Sequence, residues 1–477
     1  MQNRRDQIQA HSFVVGRLVS ALLRAEPDAQ TTPLRRFTMG VIWGVVLGAV
    51  GIVGFGIYGV FSPGGDRSWQ AQGVLIVEKE TGNRYVYLDG VLRPVLNYTS
   101  ARLILGQAPT ITKVSRKSLA GVPHGLAVGI VGAPDYLPDV ARLDATTWQV
   151  CSSTRSDTSG AARPYVDLHI GRSSPGLARP ADAGEAFVVR TPAGQPYLVW
   201  HDQRLLIGTP GALAALGYSA VPQHEVGWAW LNALPAGPDL APPAISGRGT
   251  AGPSIDGRQG VVGQVFRVVG EAGAPTQYFV LRSDGLSPLS PLGAALMLAD
   301  PVTRAAYPGG GVATLELSAD ALARAPRSTV SSVTAGLPAQ APAVLDFAPG
   351  QVPCLSLHLQ ADGVTVRAGT DADPGVAADV PDAHDPARAD RVEVEGGTGL
   401  LLRDLPAPGV TTGAVYLLVD NGIRYPVPDE QTVGVLGYGE LMPLAVPATV
   451  LALVPVGSAL DQTAAHTTVP GAGGGDG

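Results

Sequence analysis

Cys151 and Cys354 are the only cysteines in this 477-residue chain, and they offer its clearest chemistry. Two thiols can close a disulfide, stay free, or contribute to a metal site. Zinc fits poorly, since two cysteines without neighbouring histidines do not supply four ligands. Oxidation depends on the compartment, which other segments must decide. Phosphate chemistry finds no foothold: Lys79, Lys113 and Lys117 are the only lysines, none follows a glycine, and so no G-x-x-x-x-G-K-[ST] loop exists. Gly247-Arg248-Gly249-Thr250-Ala251-Gly252 has G-x-G-x-x-G spacing, but Pro242, Pro243 and Pro253 stand where a strand and a helix are needed. There is no G-x-S-x-G elbow and no H-E-x-x-H, and the eight histidines are scattered. His201 beside Asp202 reads as a turn pair. Asp371, Asp373, Asp379, Asp382 and Asp385 could attract calcium, yet their proline-broken spacing is not an EF-hand loop and reads as solvated. The expectation is no catalytic, cofactor-binding or metal residue.

The compartment follows from one apolar run. Met39 to Phe61 carries no charge and, at about 1.5 Å per residue, crosses a hydrocarbon core of about 30 Å. No A-x-A site follows, so the helix is expected to be retained. Six arginines (Arg4, Arg5, Arg17, Arg24, Arg35, Arg36) precede it against Asp6, Glu26 and Asp28, which places the leading segment in the cytoplasm and the rest outside. The outer part is acidic, because the whole chain carries −7. Nucleic-acid binding is not expected of it. In an oxidising exterior a disulfide is favoured over two free thiols, and closing so long a loop stabilises by up to ~5 kcal/mol in the chain-entropy model.

Two segments could dock partners. Ile8, Val14, Val15, Leu18, Leu22 and Leu23 recur at helical spacing, with Arg17 and Arg24 on another face. Such a basic amphipathic helix can lie on the inner leaflet or against a cytoplasmic partner. Within the span, Gly40, Gly44 and Gly48 share a face that permits close helix approach, although glycine is common throughout this chain.

The outer part carries a repeat. Tyr85, Tyr197, Tyr278 and Tyr416 each open an apolar strand followed by a tight turn, as at Asp89-Gly90, Asp284-Gly285 and Asn421-Gly422. Helix starts follow at Thr99-Ser100, Thr209-Pro210, Ser290-Pro291 and Asp429-Glu430. Three of the helices close on Leu105-Gly106, Leu216-Gly217 and Leu436-Gly437. Tyr85 to Gly106 and Tyr416 to Gly437 span the same length, but the copies are unequally spaced, which argues against a solenoid. The predicted fold is a single-pass membrane protein with an N-terminal amphipathic helix and a large α+β exterior. Four small hairpin-plus-helix repeat modules surround a β-rich central core. The segments are 1–38 cytoplasmic, 39–61 spanning, 62–73 linker, modules at 74–134, 186–241, 276–306 and 406–460, core at 135–185, 242–275 and 307–405, and a disordered tail from Asp461 to Gly477.

Arg5 to Phe13, the run Arg93-Pro94-Val95-Leu96-Asn97-Tyr98-Thr99-Ser100-Ala101-Arg102-Leu103-Ile104, Gly132-Ala133-Pro134-Asp135 and Trp148-Gln149-Val150-Cys151 resemble the EccB family. That family is the B component of the actinobacterial type VII (ESX) secretion membrane complex. The resemblance implies a structural subunit with no cofactor. Its implied partners are the motor ATPase EccC, the multispan EccD, EccE, the mycosin protease and further EccB copies, in a complex exporting WxG-type proteins. Some members carry an ATPase label for which this sequence has no nucleotide motif. The alternative is a nucleotide-hydrolysing or cell-wall-binding envelope protein. Residues expected to meet partners are Arg5, Arg17, Arg24, Gly40, Gly44, Gly48, Arg93, Asn97 and Arg102, with Asn97 also able to serve merely as a cap.

Overall fold

The computed structural model describes residues 4–24, 34–61, 67–156, 160–172, 176–209, 211–270, 274–375, 385–407, 410 and 412–470. Asp379 and Asp382, and Pro210 of the expected second helix start, lie outside them. Two helices lead the chain, Arg4–Arg24 and Leu34–Phe61. Within the second, Phe37–Tyr58 is long and apolar enough to cross a membrane, and none of it is buried by protein. The described remainder is β-rich with short helices.

The chain forms two compact units, residues 1–92 with 111–124, and residues 93–110 with 125–477. In the first, Val74–Glu78 pairs antiparallel with Arg84–Leu88 around a core of Trp69, Val74, Ile76, Tyr85, Leu92, Val114 and Leu119. Asp89 and Gly90, both at positive φ, make the reversal between Arg84–Leu88 and the next strand, Val91–Pro94.

The second unit is built on a six-stranded sheet. Its long strands are Thr147–Ser156, Ala162–Gly171, Gln351–Gln360 and Gly363–Ala372, flanked by Arg391–Val394 and Arg179–Pro180. Alternation sets its faces, because successive side chains point to opposite sides. Trp148, Val150, Leu168, Ile170, Leu355 and Leu357 enter the largest core, where Phe187, Trp230, Leu402 and Val450 meet them from the segments before and after.

Four sheets across the chain share one strand order. A first strand is flanked on one side by the tyrosine strand and its hairpin partner, and on the other by a strand arriving after the helix. In the last copy Gly399–Leu405 lies between Val415–Val419 and Leu444–Pro447, antiparallel to the former and parallel to the latter. Glu185–Arg190 and Val265–Val268 hold the same place in the second and third. The strand Val265–Val268 falls in the stretch expected for the core at 242–275, yet it pairs with the Tyr278 strand. Its apolar run is too short for sequence to say which sheet receives it.

The expectation of a disordered tail from Asp461 does not hold for 461–470. Asp461 caps a helix, Gln462–Ala465, by accepting Ala464 N at 2.7 Å, and Ala465 is fully buried. Val469 N then bonds Ala127 O at 2.8 Å. Polar composition misled because a side-chain cap and backbone pairing to the distant 127–128 segment order these residues. Residues 471–477 lie outside the described set. The glycine-rich loop at 247–252 turns into the strand Ala251–Ile255 rather than a helix, as its prolines require.

Candidate functional site: the disulfide sheet and a helix-capping junction

The six-stranded sheet brings the cysteines together. Cys151 and Cys354 are register partners on adjacent antiparallel strands and are joined by a disulfide across a separation of 203 residues. Beside them Asp371 and Asp373, expected to be solvated, are engaged, whereas Asp385 is exposed. Asp371 Oδ2 accepts Gln149 Nε2 at 2.5 Å, and Asp373 holds the Arg155 guanidinium. Asp385 pairs with Arg388 at 3.1 Å. Among the described residues no cluster of three or more histidine, cysteine, aspartate or glutamate side chains is arranged for a metal.

The two runs Arg93 to Ile104 and Gly132 to Asp135 fold onto each other. Asn97 is the N-cap of the helix Tyr98–Leu105: its Oδ1 accepts Ser100 N at 2.8 Å, and its Nδ2 donates to Ile130 O at 2.8 Å. Thr99 Oγ1 donates to Pro134 O at 2.5 Å, Ser100 Oγ accepts Ile130 N at 2.9 Å, and Asp135 Oδ1 accepts Tyr98 N at 2.8 Å. The helix thus starts two residues before the expected Thr99-Ser100, because Asn97 has the free carbonyl oxygen and those hydroxyls are spent on the 130–134 loop. Of these five hydrogen bonds, the four that are buried satisfy polar groups that burial would otherwise orphan.

At the far end of that helix Arg102 Nε donates to Val435 O at 2.7 Å, a carbonyl at the C-terminus of the helix Glu430–Val435. A cation there complements both the unpaired carbonyl and the helix dipole. Tyr438, just beyond, donates its hydroxyl to Pro138 O at 2.8 Å, and burial pushes its phenol well above the ordinary range. Ser458 Oγ reaches Val131 O at 2.8 Å. The helix Tyr98–Leu105 and the segments that carry Val435, Tyr438 and Ser458 are therefore joined within one unit.

The remaining expected residues are scattered. Arg5 and Arg17 are exposed on the leading helix, where Arg17 lies 5.8 Å over the Phe13 ring, and Arg24 ends that helix. Ile8, Phe13, Leu18 and Leu22 are exposed beside them. A Cβ at Gly40, Gly44 or Gly48 would meet nothing within 4 Å, so this face is open in the isolated chain. Arg93 is half-buried on its strand, away from the cap network. Missed by the sequence reading is Asp167, a buried carboxyl in the strand Ala162–Gly171. One charge inside Tyr165-Val166-Asp167-Leu168 was the available signal.

With this geometry in place, likeness to known proteins decides the family. The sequence model described as type VII secretion system ESX-1, transport TM domain B (EccB) matches residues 2–471. The chain belongs to the EccB family. It is 29% identical over 489 residues to the protein named ESX-3 secretion system ATPase EccB3 of Mycolicibacterium smegmatis, covering 98% of this chain and 91% of that protein. The namesake from Mycobacterium tuberculosis is 28% identical over 506 residues, with 98% and 90% covered. Among solved structures, an EccB3 dimer from the ESX-3 core complex is similar at a TM-score of 0.63 and 27% identity, over 83% of this chain and 100% of that one. A chain of an intact ESX-5 inner membrane complex shares the fold at TM-score 0.63 and 24% identity, over 98% of this chain and 97% of that one. The sequence of this EccB-family chain still carries no Walker loop, whatever its relatives are called.

Proposed function

We propose that this chain is a structural subunit of a type VII secretion membrane complex. On this reading it crosses the membrane once, holds its N-terminal helix in the cytoplasm, and presents the β-rich region outside. The observation that carries the reading is the family match from residue 2 to 471, which takes in the leading helix, the apolar helix and every sheet together. The four sheets of one strand order are read as copies of a small module around the disulfide-tied core. Exposed Ile8, Phe13, Leu18 and Leu22 beside Arg5 and Arg17 suit docking to a cytoplasmic partner. The open Gly40, Gly44 and Gly48 face suits another membrane helix.

Implied partners are the EccC-type motor, EccD, EccE, a mycosin protease and further copies of this chain, with WxG-type proteins as cargo. Energy for export would come from the motor. Affinity purification through this subunit in mild detergent should recover the motor and the multispan partner; recovery of neither sinks the reading. Since relatives bear an ATPase name, ATP hydrolysis by the purified full chain is the second measurement. Turnover that scales with the chain and disappears on a defined substitution would favour an enzyme instead.

A further inference from the structure

The central sheet has one apolar face in the main core and a second, polar face that is buried around Cys151, Cys354 and Asp167 and exposed toward its edges. Register sets Arg391, Asp167, Cys151 and Cys354 abreast on four neighbouring strands. Cross-strand partners share a side of the sheet, so these four lie in one row on the polar face. A cavity of about 180 Å³ opens beside the row, walled by Gln149, Cys151, Asp167, His169, Arg391 and Glu393.

Asp167 has no evident structural use. It is 7% exposed, and neither carboxylate oxygen has a hydrogen bond from a described residue. Its ion pair with Arg391 is long, at 3.9 Å, while Arg391 is drawn to Glu393 at 2.7 Å. Nearby carboxylates are by contrast fully engaged: Asp390 takes Arg163 Nη1 at 2.9 Å and Val166 N at 2.8 Å. A buried carboxylate so poorly partnered is destabilising, and asparagine would fill the same space without the charge. Such a group calls for a chemical explanation. The disulfide beside it is approachable from one side only. Cys151 lines the cavity, whereas Cys354 is 0% exposed and does not.

We propose that Asp167 is the proton acceptor through which the Cys151–Cys354 bridge is closed by thiol–disulfide exchange, with a small external disulfide entering the cavity and meeting Cys151. Asp167 takes the Cys151 thiol proton, and the thiolate attacks one sulfur of the external disulfide, expelling a thiolate that is protonated by water. Cys354, already opposite in register, then attacks the Cys151 sulfur of the mixed disulfide, giving its thiol proton to the departing sulfur, so that the second external group leaves as a thiol. Asp167 returns its proton to solvent through the cavity. Two cysteine thiols are oxidised and one external disulfide is reduced to two thiols. Burial pushes Asp167 up to about 6, against the pull of Arg391 and Arg155, with Asp373 and Asp390 adding to the rise. Tyr165, His169, Glu393, Asp371 and His358 are the other titratable groups on this face, and Arg163 and Arg367 add positive charge to it. A carboxylate of that strength is ionised at neutral pH and is a better base for a thiol than water. The chemistry is independent of the assembly role.

The test uses the full chain in mild detergent, reduced with a phosphine, then re-oxidised with oxidised glutathione between about pH 5 and about pH 8 and quenched by alkylation. The wild-type rate should show a step near pH 6, and Asp167→Asn should lose that step and slow by at least about tenfold at neutral pH, with Asp167→Glu restoring it. Equal rates and one pH profile in wild type and Asp167→Asn overturn the proposal. If Asp167→Asn does not fold, the single-cysteine chains decide. Glutathione should join Cys151 in Cys354→Ser faster than it joins Cys354 in Cys151→Ser, and equal or reversed rates overturn it as well.

Discussion

Asn97 shows how one side chain can be legible and ambiguous at once. Its type and position before an apolar helical run announce a cap, and the structure adds the second bond to Ile130 O that no local rule supplies. Asn97→Ala loses both bonds and should cost about 1–3 kcal/mol in denaturant unfolding of the full chain, while Asn97→Asp keeps the cap and should cost less. Equal losses would mean that the Ile130 bond carries the effect. Arg102 was read as a residue to meet a partner, and its acceptor within the chain, Val435 O, could not be read because it is 333 residues away in sequence. Asp167 has a further consequence. Its carboxyl is raised in the folded protein, so the folded state binds the proton more tightly than the unfolded state. The associated stability is full below the unfolded value near 3.8 and is lost as pH rises through about 6. Asp167→Asn should flatten that limb of the unfolding midpoint against pH; an unchanged slope would contradict it. Glu78 has the opposite sign: its Arg116 hydrogen bond holds it low, so its contribution fades as pH falls.

At the scale of elements, the helix starts at Ser290 and Asp429 and the tight-turn hairpins were readable; Thr209 does not cap Ala212–Ala215, whose N-cap is Gly211, and strand partners outside the hairpins were not readable. Ser290 caps the helix Pro291–Ala299 with its side chain on Gly293 N at 3.0 Å, and Asp429 caps Glu430–Val435 on Thr432 N at 2.6 Å, both at positions that residue type marks. Ser290→Ala should cost about 1 kcal/mol by thermal or denaturant unfolding. His201 and Asp202 form their turn with both residues at positive φ and no glycine, as a pair that tolerates the left-handed region. The strand Val265–Val268 had no such mark, because pairing depends on which edge is vacant after collapse. The disulfide links two central strands already in register, so removing it should lower the unfolding free energy by less than the ~5 kcal/mol entropy limit. A Cys151→Ser, Cys354→Ser double variant measured beside wild type gives the value, and no loss would make the bridge dispensable.

For the whole molecule, the helix Tyr98–Leu105 and the 130–138 segment are tied to residues 435–458 of the same unit through Arg102, Tyr438 and Ser458. The segment 461–470 adds the Val469 N to Ala127 O bond. A chain truncated after Leu460 should unfold at a lower temperature than one truncated after Pro470, and should expose 125–131 to proteolysis. Indistinguishable melting and cleavage would return that segment to the status of a tail. Replacing Gly40, Gly44 and Gly48 together by leucine should weaken recovery of membrane partners without altering the melting of the outer part. Undiminished recovery would remove the glycine face from the assembly.

The sequence by itself determined what depends on neighbours along the chain: an uncharged helix long enough to span, arginines before it, capped helices, tight turns, and the lack of a phosphate loop. Those features are set by length, charge and backbone preference within a few residues. The disulfide followed from two cysteines in an outward-facing region, but tertiary structure alone decided that it joins register partners, that one strand order recurs in four sheets, that 461–470 closes onto residue 127, and that a carboxyl without a hydrogen bond stands beside the bridge. Each of these is a contact between distant segments, fixed by burial and by the need to pair every backbone group. Local spacing carries no record of such contacts.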